Sequence, residues 1–451
     1  MIDILTYNDL IEIGENERDR MNFILDAINE HKSSALYRTA CAANEYYHLM
    51  NPTIMKYQKV IRNLRGQAVP DIYSPNNKIP SNLYFLFITQ AVQHLLSNGV
   101  YFGNEQTKGK LGRNFDRKIA DLAIEAKNGG VSFGFWNYDH IDAFSVREFV
   151  PLYDENNGAL MAGIRFWQID SDKPLRATLY EIDGYTDYIK PVNGVMSVYA
   201  AKRKYKQIVK SSQIDGTYIY DGDNYGGFPI VPFYNILKQS EIVGNRNVID
   251  AYDLMASGLV NNTDEGNFIY WILQNCDGMN ENDDEQFIER LKINRIAHAN
   301  GDDGARVESH AVETPFEAHE VSLDRLEKQL YTNFMAVDVR SISAGNTTAT
   351  EIRAAYEPLN SKTDLFEYCV TDFIDGILSI AGIDDVPTYK RSQVVNQAEE
   401  TEMILSAASW LDDETILRKL PWVTVDEVSE ILARRDSTEI GRLRDGTGNI
   451  T

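Results

Sequence analysis

The chain changes its hydrophobic period from helical to alternating and back again, and this change most constrains its fold. Between residues 131 and 235 the period is two, in aromatic and β-branched segments such as VSFGFWNYD, LMAGIRFWQID and RATLYEIDGYTDYIK. Turn signals such as ENNG, SDKP and PVNG separate the segments, and GGFPIVPFYN closes the run with a pair of prolines. This pattern predicts an antiparallel β meander.

Helical patterns flank the meander on both sides. Residues 8–65 are predicted to be helical, because MNFILDAI places apolar residues at positions i, i+3, i+4 and i+7 of one face. FDRKIADLAIEAKNGG predicts another helix, which the pair Gly129 and Gly130 would end. Helix is predicted again from 241 to 275, in VSLDRLEKQLYTNFMAV, and from about 349 to 381. The sequence therefore indicates an α+β protein.

The stretch SISAGNTTATEIRAAYEPLN, residues 341–360, connects the last two predicted helices. Its first part is rich in small residues, which is typical of a surface loop. Thr348 and Glu351 have the spacing of a capping box, so the last helix is predicted to begin near residue 349. Pro358 removes a backbone donor and crowds the carbonyl of Ala354, which predicts a bend in that helix.

Charge excludes one broad class of function. The net charge of −23 argues against a protein that coats nucleic acid by neutralising phosphates. A negative surface can still let DNA pass, because it repels the polyanion and keeps contacts short-lived. Residues 251–320 contain 15 Asp and Glu against 4 Lys and Arg, so much of the negative charge lies in one segment.

Cysteine usage and hydropathy bound the compartment. Cys41, Cys276 and Cys369 are too few and too far apart for a disulfide framework, which fits a reducing compartment. No run approaches the ~20 apolar residues that a membrane span needs. The first residues lack the apolar core of a signal peptide. We expect a protein that is made in the cytosol.

No motif in the chain predicts catalysis. GNEQTKGKL, at 103–111, is spaced wrongly for a phosphate-binding loop, and Leu111 replaces the hydroxyl residue that would bind Mg²⁺. The histidines show no zinc spacing, and the acidic turns ENDDE and GDDG lack the alternation of a calcium loop. No catalytic residue, metal site or cofactor is predicted. Lys108, Lys110, Arg113, Arg117 and Lys118 form a basic cluster that is either a solvated loop or a contact for DNA or a partner.

Several segments in a fixed order carry a family resemblance. They are PNNKIPSN, FDRKIADLAIEAKNGGVSFGFWN, VREFVPLYDENNGALMAGIRFW, GGFPIVPFYN, VIDAYDLMASGLVNN, FIYWILQN and SAGNTTATEIRAAYEPLNSK. Each segment alone is weakly specific, but together the chain resembles the SPP1-like portal proteins of tailed phages of Gram-positive hosts. The C-terminal tail carries little of this resemblance.

The resemblance implies a portal fold and a division of the chain. The wing would be residues 1–240, with N-terminal helices and the β meander. The rest would comprise a stem helix at 241–276, a small α/β clip at 277–318, a second stem helix at 319–340, a tunnel loop at 341–348, a kinked helix returning to the wing at 349–384 and a helical crown at 385–451.

The same resemblance implies a non-enzymatic role. Such proteins form a ring of about twelve subunits at one capsid vertex, around a channel through which double-stranded DNA is packaged, retained and ejected. The implied partners are the terminase large subunit, the head–tail adaptor, and the major capsid and scaffolding proteins. The protein would belong to the virion and be assembled in the host cytoplasm, without a membrane.

Site residues follow from the resemblance in three groups. The tunnel loop facing DNA would be Ser341, Ile342, Ser343, Ala344, Gly345, Asn346, Thr347 and Thr348, followed by the helix kink at Pro358. Clip docking would involve Asp283, Asp284, Glu285, Asp302 and Asp303. Candidates for DNA or partner contact are Lys108, Lys110, Arg113 and Arg340. Two alternatives stay open, namely an acidic metal-dependent hydrolase and a monomeric interaction scaffold.

Overall fold

The structure is a computed structural model of the full chain. It describes residues 5–62, 66–71, 74–211, 218–266, 269–274, 306–311, 316–340 and 349–392, and parts of the tail between 401 and 434. Helices and strands are both present, so the expected mixture of helix and sheet is confirmed.

Seven helices precede the main sheets in the described part of the chain. They are α1 Tyr7–Ile13, α2 Glu17–Ser33, α3 Ala35–Tyr47, α4 Pro52–Lys56, α5 Leu83–Leu96, α6 Glu105–Lys110 and α7 Phe115–Gly129. Thr6 and Asp9 form a capping box that starts α1, and the left-handed Gly130 ends α7 as the sequence predicts. Residues 8–65 are not all helical, because a short strand follows α4.

Thirteen strands are described up to residue 234. They are β1 Val60–Arg62, β2 Ala68–Pro70, β3 Val100–Phe102, β4 Val131–Asn137, β5 His140–Ser145, β6 Phe149–Tyr153, β7 Leu160–Trp167, β8 Leu175–Glu181, β9 Gly184–Lys190, β10 Ser197–Arg203, β11 Lys206–Ser211, β12 Tyr218–Asp223 and β13 Ile230–Tyr234. A 3₁₀ turn, Ile236–Lys238, follows β13. We call residues 5–240 the body.

The strands do not form one continuous meander. β6 to β10 pair consecutively in a five-stranded antiparallel sheet, as predicted. β13 instead returns to pair with β4, which gives a separate three-stranded sheet in the order β13, β4, β5. Pro232 is compatible with this arrangement, because β13 lies at the edge of that sheet. β11 and β12 form their own hairpin.

A pair of long helices leaves the body and returns to it. These are α8, Arg246–Gly266, and α9, Phe316–Asn333. β14, Ile269–Gln274, follows α8, and β15, Arg306–Ala311, precedes α9; the two strands pair antiparallel. The start of α8 and the end of α9 share one apolar cluster, so the helices run antiparallel. We call α8 and α9 the helix pair.

The secondary structure here differs from the prediction in one respect. The sequence predicts helix over 241–276, but helix extends only over Arg246–Gly266, and residues 269–274 form β14. Gly266 ends α8, and the IYWILQ segment that follows is rich in β-branched and aromatic residues, which favour a strand once a partner is present. That partner, β15, lies over thirty residues further along the chain.

The last long helix packs back onto the body. α10, Ala349–Ala381, begins where the sequence predicts and continues through Pro358. It packs on the three-stranded sheet, where a Cβ on Gly134 would lie 2.4 Å from the Phe373 ring and one on Gly376 would lie 2.8 Å from Val231. Only glycine allows this close approach. β16, Pro387–Tyr389, then pairs with β3, and α11, Asp413–Lys419, lies in the tail.

Two large cores hold the body together. The first joins α5, α7, the three-stranded sheet and α10 around Phe133, Phe233 and Phe373. The second packs α1 and α2 against the five-stranded sheet. A third cluster joins α3 and α5 to the helix pair. The base of the helix pair is therefore part of the folded body.

Candidate functional site at the base of the long helices

The helix pair and α10 converge on one face of α5. Tyr84 and Phe87 of α5 pack against Phe334, which follows α9, and the rings of Phe87 and Phe334 stack with centroids 4.6 Å apart. One helical turn further, Ala91 contacts Val337 and the first turns of α10. The ends of both long helices and the start of α10 are therefore fixed relative to each other by a single helix of the body.

A buried charge cluster lies behind this apolar contact. Glu241, which precedes α8, accepts from Lys127 of α7 at 3.2 Å and from Lys362 of α10 at 2.8 Å. Lys362 also donates to the main-chain carbonyl of Phe334 at 3.0 Å. Lys127 is fully buried, with its Nζ 3.8 Å from the centroid of the Phe366 ring. We call Lys127, Glu241 and Lys362 the charge cluster.

The charge cluster contains two cations and one anion. Burial lowers the pKa of Lys127 to about 8, although Glu241 opposes this shift. Burial alone would raise the pKa of Glu241, but Lys127 and Lys362 together lower it to about 2. Glu241 is therefore ionised at neutral pH. Its carboxylate compensates the positive charges of both lysines.

A second set of contacts fastens the segment 74–82 along α8. Asp253 accepts from the backbone N–H of Ser81 at 2.9 Å, and Ser257 accepts from that of Ile79 at 3.0 Å. Asn261 accepts from the backbone N–H of Asn77 at 2.7 Å. These α8 residues recur at helical spacing, so one polar face of the helix binds an extended segment of the body.

A third set of contacts flanks residues 341–348 on both sides. Gln90 of α5 donates to the Val337 carbonyl at 2.8 Å and accepts from the Val337 N–H at 3.0 Å. One turn further along α5, His94 Nδ1 donates to the Ser392 carbonyl at 2.7 Å, and its Nε2 lies 2.9 Å from the side-chain amide of Asn360. The chain is therefore held to α5 both before residue 341 and after residue 348.

Comparison with known sequences decides the family. The family model described as phage portal protein, SPP1 Gp6-like, matches residues 12–441. The chain belongs to this family of phage portal proteins.

Individual relatives agree with this assignment. The portal protein of Clostridium phage phiCD119 is 26% identical over 455 residues, with 91% of this chain and 95% of that protein covered. The portal protein of Bacillus phage SPP1 is 22% identical over 478 residues, with 97% and 90% covered. A solved HK97-family phage portal protein from Corynebacterium diphtheriae is 9% identical, with a TM-score of 0.33 and 68% and 89% covered. The family assignment rests on the sequence matches.

The sequence resemblance to SPP1-like portals is thus confirmed, and the residues it implied fall in different places. Ser341 to Thr348, Asp283, Asp284, Glu285, Asp302 and Asp303 all lie outside the described residues. Their roles stay predictions. Pro358 lies inside α10, which continues as helix on both sides of it, and the predicted kink likewise stays a prediction.

The loop that resembles a phosphate-binding loop has its backbone donors occupied. Asp385, which precedes β16, accepts from the N–H groups of Gly103 and Asn104 at 3.0 and 3.1 Å. It also accepts from the Thr107 hydroxyl at 2.6 Å. A carboxylate of the chain itself therefore takes the place that an anionic ligand would need, in agreement with the sequence argument against a nucleotide site.

The predicted basic contacts differ in their availability. Lys108 pairs with Asp116 at 2.5 Å. Lys110 and Arg113 are exposed. Arg340 is 67% exposed but bound by Asp338 and Glu327. Of the four, Lys110 and Arg113 are best placed to meet another molecule.

Sequence reasoning missed the charge cluster and the two polar residues of α5. One signal was present: in FDRKIADLAIEAKNGG, Lys127 falls on the apolar stripe of Ile119 and Ala123. Gln90 and His94 are likewise polar residues at i and i+4 of a mainly apolar helix, LYFLFITQAVQHLL. A polar residue on a predicted buried face indicates that its side chain has a hydrogen-bonding or charged partner elsewhere in the chain.

Two structural features concern metal binding and membrane insertion. Within the described residues, no group of three or more His, Cys, Asp or Glu side chains is arranged to hold a metal ion. Among the helices the structure describes, none is long and apolar enough to cross a membrane.

Proposed function

We propose that this chain is the portal subunit of a tailed phage. It assembles into a ring at one capsid vertex and forms the channel through which double-stranded DNA is packaged, retained and ejected. The observation that carries this proposal is the family match over residues 12–441. The helix pair, which leaves and re-enters the body at one fixed base, supports it.

The proposed portal divisions keep the bounds that the family resemblance implies. The wing is residues 1–240, and the stem comprises 241–276 and 319–340, which include α8 and α9. The clip is 277–318, the tunnel loop 341–348, the returning helix 349–384 and the crown 385–451. β14 follows α8 and pairs with β15, which precedes α9, and this supports a clip that follows the first stem helix.

Exposed apolar residues on the helix pair support contact between subunits. Val321 of α9 is 69% exposed, and Leu254 and Val260 of α8 are also exposed. In the proposed ring, these exposed apolar side chains would be covered by a neighbouring copy. In a ring, α8 of one subunit would pack beside the helix pair of the next.

The fastening of both flanks of residues 341–348 supports their role as the tunnel loop. Gln90 holds Val337, and His94 holds Asn360, so a loop between them would be presented from a firm base. Small residues with hydroxyl and amide groups can touch the DNA backbone without reading its sequence. The acidic residues of 251–320 would line the channel and keep DNA from adhering.

The remaining partners belong to this proposal. The terminase large subunit would dock on the clip during packaging and supply ATP hydrolysis, and the head–tail adaptor would replace it later. Asp283, Asp284, Glu285, Asp302 and Asp303 are the docking candidates, and the major capsid and scaffolding proteins would surround the wing. The ring would be assembled in the host cytoplasm and remain in the virion. No catalytic role is proposed.

Native mass and negative-stain images of the purified chain test the assembly. We expect particles of about twelve copies of the 51.2 kDa chain, or roughly 600 kDa, with a central hole. A chain that stays monomeric at every concentration, and also in the presence of scaffolding protein, would contradict the proposal.

Deletion of residues Ser341 to Thr347 tests the tunnel loop. We expect rings to form, because the fastenings at Val337 and Asn360 remain, while the DNA content of phage particles falls. The matched control replaces the same residues by a Gly/Ser segment of equal length, which keeps the spacing but removes the side chains. Normal packaging by the deletion variant would show that the tunnel loop is elsewhere.

A further inference from the structure

An acidic groove runs along α1 and α2 on one side of the body. Two adjoining cavities of about 470 and 170 Å³ share Leu5 and Glu30 in their walls. The larger has an apolar floor of Ile13 and Phe23 and is edged by Asp19 and Asp26. The smaller is lined mainly by apolar side chains, with Glu30, His31 and Tyr153 as its titratable wall residues. We call this feature, lined by Asp19, Asp26 and Glu30, the acidic groove.

The carboxylates of the acidic groove have no partner within the described part of the chain. Asp19, Asp26 and Glu30 lie at i, i+7 and i+11 on α2, so they share one helix face. Glu30 Oε2 is buried and accepts no hydrogen bond there. A buried carboxylate oxygen without a donor costs free energy, and a cation on an alkyl stem entering the small cavity would remove that cost.

The complementary feature is the basic cluster around the start of α7. Lys110, Arg113, Arg117 and Lys118 have no ion-pair partner among the residues that the structure describes. Lys108 is excluded, because it pairs with Asp116. We call Lys110, Arg113, Arg117 and Lys118 the basic island.

The basic island is held rigidly. Leu111 and Phe115, which lie within this segment of the sequence, are buried in the first core. Between them, Gly112 adopts a positive φ of 98° and approaches the β4–β5 turn so closely that a Cβ would lie 2.8 Å from the Asp139 carbonyl oxygen. Cations on a rigid support lose little conformational entropy when they meet a partner.

Within one chain, the two features are kept apart. α2 packs on α3, and α3 packs on α7, where Ala40 lies beside Gly129 at the C-terminal end of α7. The basic island lies at the opposite end of this 15-residue helix, which is about 22 Å long. Two different patches of one chain that cannot meet internally are what a head-to-tail ring contact requires.

We propose that the basic island of one subunit docks into the acidic groove of a second copy of this chain. An Arg or Lys side chain of the island would enter the small cavity and bind the free Glu30 oxygen, while the other cations lie against Asp19 and Asp26. This inference rests on the proposed ring. It names one contact that closes the ring at the level of the body.

The main rival is that the basic island binds DNA. The charge around the basic island favours a protein partner. Asp121, one turn beyond Arg117 on α7, is exposed, and the chain as a whole carries −23. A DNA surface needs a broad positive potential, whereas a few cations facing three free carboxylates need only a local match.

A charge swap in the full-length chain tests the proposal. One variant carries Arg113→Glu and Arg117→Glu, a second carries Asp19→Lys and Asp26→Lys, and a third carries all four changes. Assembly is followed by sedimentation at several protein concentrations and at 0.1 and 1 M NaCl. The control carries Asp172→Lys and Lys173→Glu, two side chains that are 68% and 57% exposed at the β7–β8 turn and pair with each other.

We expect each two-residue reversal to raise the concentration at half assembly about tenfold or more, and the four-residue variant to recover most of that loss. The control should assemble as the unchanged chain does, and 1 M salt should weaken wild-type rings. Circular dichroism checks that each variant is folded.

Other outcomes overturn the proposal in distinguishable ways. Rings that form equally well with either reversal show that the contact is elsewhere, while the proposed function stands. Normal rings that lose DNA binding when Arg113 and Arg117 are reversed show that the island binds DNA. If the unchanged chain forms no ring with or without scaffolding protein, the proposed function fails, and this inference fails with it.

Discussion

Glu241→Gln is the change that most directly tests the base of the helix pair. The carboxylate of Glu241 faces two ammonium groups, those of Lys127 and Lys362, in the interior of the protein. A glutamine keeps the shape of the side chain and one acceptor oxygen. It removes the only negative charge of the charge cluster, so two buried cations would face each other without compensation.

Two separate routes give the magnitude. The pKa of Glu241 falls from an ordinary 4.5 to about 2 in the folded chain, which corresponds to about 3 kcal/mol of stability at neutral pH. Removal of one partner from a buried ion pair typically costs about 3–5 kcal/mol. We therefore expect Glu241→Gln to lower the free energy of unfolding by about 3 kcal/mol or more.

Lys127→Met is the matched control, with the opposite expectation. Burial outweighs Glu241 in setting the pKa of Lys127, so the charged lysine is itself unfavourable in the folded chain. Methionine retains an apolar stem beside Phe366 and leaves Glu241 paired one-to-one with Lys362. This variant should unfold within about 1 kcal/mol of the unchanged chain, or be more stable.

The pH dependence follows from the same shifts. Because the folded pKa of Glu241 is lowered, its contribution is present above about pH 4.5 and is lost as the pH falls towards 2. Because the folded pKa of Lys127 is also lowered, its cost is present below about pH 8 and disappears as the pH rises towards 10.5. As the pH rises from about 8 towards 10.5, the unchanged chain should therefore gain stability relative to Lys127→Met.

Urea unfolding of the unchanged chain and both variants, followed by near-ultraviolet circular dichroism, measures these effects. The decisive comparison is between the two substitutions. If Lys127→Met lowers the free energy of unfolding as much as Glu241→Gln does, the negative charge of Glu241 is not the main source of the cluster's stability. The electrostatic account would then be refuted, and packing around Phe366 would be the main contribution.

Two further substitutions test other supports of the same architecture. Asp253→Ala should destabilise the chain by about 1–3 kcal/mol, because the Ser81 N–H and the Asn51 side-chain amide both lose their acceptor. Asp253→Asn keeps one of the two acceptor oxygens and should cost less; urea midpoints separate the two. Gly112→Ala should lower the melting temperature, because a Cβ at φ 98° would lie 2.8 Å from a backbone oxygen, while Gly109→Ala, with nothing within 4 Å, should not.

Sequence patterns predicted the elements that are determined by neighbouring residues in the chain. α7 ends at the glycine pair, and α10 begins at Ala349, because caps and one-sided apolar stripes are written in neighbouring residues. The strands β6 to β10 form the expected meander for the same reason, since each pairs with the next across a short turn.

Elements that depend on distant partners could not be predicted. Residues 269–274 carry both helical and strand signals, and only β15 decides between them. β13 pairs with β4, almost a hundred residues earlier, because α7 and α10 place the three-stranded sheet between them. The charge cluster is the clearest case, since Glu241 is separated from Lys127 and Lys362 by 114 and 121 positions.

One helix, α5, makes several of the contacts at the candidate site. Successive turns of α5 contact Phe334, Val337 and Asn360 through Phe87, Gln90 and His94. The end of α9, the residues before 341 and α10 therefore move only if α5 moves or if these contacts break. Because α5 also packs on α7, a displacement of Val337 or Asn360 would be transmitted through α5 to α7 and the rest of the body.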